Sequence, residues 1–167
     1  MKVEVISLII SGLSLFISFS EPKRNDKKAR RREQERVKKD RAFKAFSEMS
    51  QKLQGVIMTT RQAWEYIDLS ATSGRIGDEQ VKQGVKQYVD IINMNINTLS
   101  ELINNNNDLI KSEKYKDLVQ YIDFLTEEGK KLTKIYLEGK TDYRPGKCKI
   151  SFLNLMSYFA SEVTINR

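Results

Sequence analysis

From Ala42 onward the apolar residues recur at alternating steps of four and three: Ala42, Phe46, Met49, Leu53, Val56, Thr60, Ala63 and Ile67. A helix turns about 100° per residue, so only a helix gathers such a series on one side. Phe43, Ile57 and Trp64 broaden the stripe, and the spacing predicts a helix that ends near Leu69. The rhythm returns in Val81, Val85, Tyr88, Ile92, Ile96, Leu99 and Ile103, and again in Tyr115, Leu118, Ile122, Leu125, Gly129, Leu132 and Tyr136. A shorter stretch, from Ile150 to about Ile165, turns Phe152, Leu155, Met156, Phe159 and Val163 inward. Between these runs lie breakers: residues 71–78 with Asp78 as an N-cap, the run Asn104–Asn107, Gly139 as a C-terminal stop, and the turn Asp142–Gly146. Amphipathic helices joined by short turns bury their stripes against one another, which predicts an antiparallel bundle of three long helices plus one short helix. Only 8 Gly and 2 Pro in 167 residues suit an all-α chain better than a many-turned β-sandwich.

The first twenty residues follow a different pattern. Val3–Ser20 is the only strongly apolar run, and as a helix it reaches about 27 Å, enough for a thin hydrocarbon core. Three readings compete: a transmembrane anchor, a secretory signal peptide with Ser18-Phe19-Ser20 as its cleavage site, and a helix lying on the membrane surface. Residues 21–44 decide among them. They hold twelve basic and five acidic groups, +7 net, which is the whole excess charge of the chain. Such a block after an apolar run resists translocation and holds its side in the cytoplasm. The expectation is a single-pass membrane protein, with the N-terminus outside and the C-terminal bundle in the cytoplasm.

Within the run, Glu4, Ser7, Ser11, Ser14 and Ser18 are spaced three and four apart, a stripe along one helix face. Small and hydroxyl residues let helix backbones approach, so the stripe predicts a homo-oligomer in the membrane. Glu21-Pro22 punctuates the run and predicts the start of a new helix. In the basic stalk, Lys23, Arg24, Lys27, Lys28, Arg30, Arg31 and Arg32 stand next to the membrane, placed to contact anionic lipid headgroups. A polybasic run can also hold nucleic acid phosphates, but the adjoining apolar run favours lipid.

Composition removes most catalytic chemistry. The chain has no histidine and a single cysteine, Cys148, which excludes His-dependent triads, His-containing zinc sites and an internal disulfide. Asp117, Asp123 and the pair Glu127-Glu128 read as solvated helix faces, Cys148 as an ordinary small residue, and Trp64 as packing. No enzyme, metal or cofactor is predicted. The strongest binding signal lies in two loops that combine glycine with cations, around Arg75 and around Arg144, Lys147 and Lys149. Each follows an odd-numbered helix of the bundle, so both are expected at one end, as anion-binding candidates.

The expected fold is therefore all-α in three parts: a transmembrane anchor (1–20), a basic juxtamembrane stalk (21–44) and a cytosolic helical bundle (45–167). The expected function is a membrane-anchored, oligomeric interaction or sensor module that meets a cytosolic protein partner. The alternative is a membrane-permeabilising effector, gated by an anionic small molecule of the cyclic nucleotide type bound to the bundle.

Overall fold

The computed structural model describes residues 2–139 and 143–167, with side chains from Asp26 onward. It is all-helical: α1 (Lys2–Thr72), α2 (Glu79–Asn105), a single 3-10 turn (Asn107–Leu109), α3 (Ser112–Glu138) and α4 (Phe152–Asn166). The predicted break at Glu21-Pro22 does not occur, and α1 is one helix through both residues. A proline removes a single backbone donor, and here that loss does not end the helix.

The chain divides into two compact units, Met1–Arg41 and Ala42–Arg167. The division falls at Ala42, the first buried residue of the core. In the first unit every residue from Asp26 to Arg41 is exposed. The helix there gains support from side-chain pairs one turn apart, such as Arg36 Nε to Asp40 Oδ2 at 4.0 Å.

The second unit is a bundle whose helices alternate in direction. Tyr66 of α1 packs on Tyr88 of α2 with ring centroids 5.8 Å apart, while Lys52, earlier in α1, donates to Asn95, later in α2, at 3.4 Å. Tyr115 near the start of α3 donates to Asn104 near the end of α2 at 3.2 Å. Against α1, α4 packs Tyr158 and Phe159 on Phe46, and it is tied to the start of α3 by an ion pair of Lys111 with Glu162 at 2.9 Å. All eight members of the predicted α1 stripe are buried. In α2 the buried position is Val89, with Tyr88 left half-buried against Tyr66.

Most predicted stops hold. Gly139 takes the left-handed conformation (φ 65°) that ends α3, its amide donating back to Ile135. Ser151 caps α4, accepting from Asn154 N. Asp78 sits at the α2 N-cap with its carbonyl accepting from Lys82 N at 3.1 Å, but its carboxylate makes no cap hydrogen bond and takes Arg75 Nε at 3.0 Å instead.

Candidate functional site

In α3 the buried series is Leu118, Tyr121, Leu125, Glu128, Leu132 and Ile135, an unbroken three-four rhythm with a carboxylate in it. Glu128 is 2% exposed. A buried carboxylate is costly unless donors surround it, and here three do. Trp64 Nε1 donates to Oε2 at 3.1 Å, Lys131 Nζ to Oε1 at 2.6 Å, and the backbone N–H of Gly146 to both oxygens at 3.1 Å each. The reading of Glu127 and Glu128 as one solvated face is therefore corrected. Glu127 is solvated, its carboxyl held below the usual range by a hydrogen bond from Lys130. Glu128, 100° further round the helix by geometry, turns into the core.

This carboxylate also fixes the connection between α3 and α4. A Cβ on Gly146 would lie 2.7 Å from Glu128 Oε1 and 3.1 Å from both Lys131 Nζ and Phe124 Cε2. Only glycine lets the backbone approach so closely. Lys134 Nζ lies 5.9 Å from the ring centroid of Tyr143, and the Cys148 thiol acts electrostatically on Tyr121. The connection thus doubles back along α3, passing Lys134, then Glu128, then Tyr121. Burial first, and Cys148 second, push the Tyr121 hydroxyl up to about 12.

Where this strap crosses, α1 and α3 enclose a cavity of about 350 Å³ that opens to solvent. Its apolar wall is Ile57, Trp64, Tyr121, Phe124 and Leu125, and the strap adds Pro145 and Gly146. Its polar groups are Thr60, Arg61, Glu65, Asp68 and Glu128. Thr60 bonds back to Val56 O at 2.8 Å, and Arg61 Nε holds Glu65 Oε1 at 2.8 Å.

The loop cations predicted to bind an anion are not gathered into this cavity. Arg75 is exposed, paired to Asp78, and lines a separate hollow with Tyr66, Leu69, Ser70, Ser73, Gln80 and Val81. Arg144, Lys147 and Lys149 are also exposed, and Arg144 Nη1 donates to the Tyr143 carbonyl at 3.3 Å. Both loops leave the same end of the bundle, but the strap has carried Gly146 back to the level of Trp64, about 12 Å along α1 from that helix's end at Thr72. Among the described residues no group of acidic or cysteine side chains is placed to hold a metal ion.

Among the described residues, too, no helix is long and apolar enough to cross a membrane. The run Val3–Ser20, and with it Glu4, Ser7, Ser11, Ser14 and Ser18, lies outside the residues whose side chains are described, as do Lys23 and Arg24. Comparison with protein-family models, with curated proteins and with solved structures finds no match to this chain.

Proposed function

We propose that this protein is a membrane-tethered helical interaction module whose bundle works on the cytoplasmic side. The observation that carries the reading is the exposed helix behind the apolar run. From Asp26 to Arg41 it buries no residue, and it holds nine basic groups against four acidic ones. A helix without a buried face contributes nothing to a core, so its charge is available to a surface. Beside an anionic bilayer each Lys or Arg is worth about 1 kcal/mol, and the same charge keeps the following domain untranslocated. The apolar run supplies the anchor, and the stripe from Glu4 to Ser18 supplies a face for self-association.

The test is to wash membranes from cells making the full chain with alkaline carbonate, with a reporter fused after Arg167. The protein should stay with the membrane and the reporter should be active in the cytoplasm. Release into the wash rejects the anchor, and a translocated reporter rejects the orientation. In the same membranes, Ser7→Leu, Ser11→Leu and Ser14→Leu together should insert normally yet crosslink into smaller species. Undiminished crosslinking would make the stripe incidental.

A further inference from the structure

We propose that the cavity between α1 and α3 is a binding site for a small organic cation, an ammonium group carrying an apolar body. Its volume, about 350 Å³, is at the low end of small-molecule sites. Three aromatic side chains line it, Trp64, Tyr121 and Phe124. Aromatic faces attract cations, Trp most strongly, and more so where water is excluded.

The charges agree. The lining carries one cation, Arg61, and three carboxylates, Glu65, Asp68 and Glu128. Arg61 pairs with Glu65, and Lys131 pairs with Glu128. Asp68 is left over. Thr72 bonds its backbone carbonyl, but its carboxylate has no partner among the described residues. One negative charge at the rim of an aromatic hollow selects a single positive charge and repels an anion.

A second polar group points to a ligand independently. Tyr121 is only 6% exposed, yet its hydroxyl has no hydrogen-bond partner among the described residues. Among those residues no fully buried side-chain oxygen or nitrogen lacks a partner, so this hydroxyl reaches open space rather than being sealed in. Tyr121 lines the cavity, and its hydroxyl keeps both its donor and its acceptor capacity for a ligand bound beside it.

Trp64 is the only tryptophan of the chain, so its fluorescence reports this site alone. The full chain in a non-ionic detergent is titrated with benzyltrimethylammonium, benzyl alcohol and benzoate, with N-acetyltryptophanamide in the same micelles as baseline. The cation should change Trp64 emission saturably, benzoate should not, and Asp68→Asn should weaken the cation about fivefold or more. Because Asp68 is exposed, that variant should melt as the parent does. Benzyl alcohol binding as tightly as the cation, an unchanged affinity in Asp68→Asn, or no saturable signal would each overturn the proposal. All of these residues lie in the unit Ala42–Arg167, so loss of the membrane tether would leave this result standing.

Discussion

Two regions of this protein hold charge in opposite ways. The helix from Asp26 to Arg41 spreads many charges through water, where each is screened and no single one fixes the fold. The clasp at Glu128 puts one carboxylate inside the bundle and surrounds it with donors from α1, α3 and the strap. The first arrangement tolerates exchange of one cation for another and works by sum. The second works by position, because each donor is stranded if the acceptor goes. Charge count therefore predicts the first region's behaviour, whereas the second depends on geometry alone.

The contrast is tested most severely at neighbouring carboxylates. Glu128→Ala should cost about 2–4 kcal/mol in a urea melt of the full chain, since it strands the buried Trp64 N–H and the Gly146 N–H. Glu127→Ala should leave the melt essentially unchanged, as should Arg31→Ala in the basic helix. Equal effects at Glu127 and Glu128 would break the distinction.

A smaller loss is expected from Gly146→Ala, about 1–3 kcal/mol, because the new Cβ must displace the Glu128 carboxylate or the strap. Gly55→Ala makes the matching control. Nothing lies within 4 Å of a Cβ there, in mid-helix, so stability should rise by about 0.5–1 kcal/mol. A stabilised Gly146→Ala variant would mean that the strap is not held against α3.

The smallest effect is a pH dependence. Tyr121 has its hydroxyl raised from 10.0 to about 12, chiefly by burial, so the folded protein keeps a proton that the unfolded chain loses first. Its contribution is fully present below about pH 10 and is lost as pH rises toward about 12. Tyr121→Phe should flatten that part of the stability profile, measured as the difference from the parent by chemical denaturation. An unchanged profile would place Tyr121 in water, not in the cavity wall.

Much of the bundle was legible because burial follows helical period. The α1 series from Ala42 to Ile67 is buried throughout, and the stops at Asn104–Asn107 and Gly139 stand where their backbone preferences put them. In α3 the period alone allowed two neighbouring stripes. The one through Tyr115, Ile122 and Tyr136 gave half-buried residues, while the deeper one runs through Tyr121, Glu128 and Ile135. A signal for it was present: Glu128 stands three residues after Leu125 and four before Leu132, a charge on an apolar stripe. Its donors were out of reach of local reasoning, since Trp64 lies 64 residues before it and Gly146 lies 18 after it. The loop cations stand exposed on two separate connections, and nothing in their composition shows that the second connection doubles back.

The Gly146 amide has a consequence for motion. Loop amides commonly exchange their hydrogen with solvent through small local openings, while core amides wait for larger ones. Gly146 stands in the stretch 143–151, which has neither helix nor strand, yet its N–H is given to a carboxylate that also holds Trp64 of α1. Releasing that hydrogen requires Glu128 to let go, which disturbs the packing of α1 on α3. The middle of the strap should therefore exchange on the timescale of the bundle rather than of a loop, and its opening and that of the cavity wall become one event.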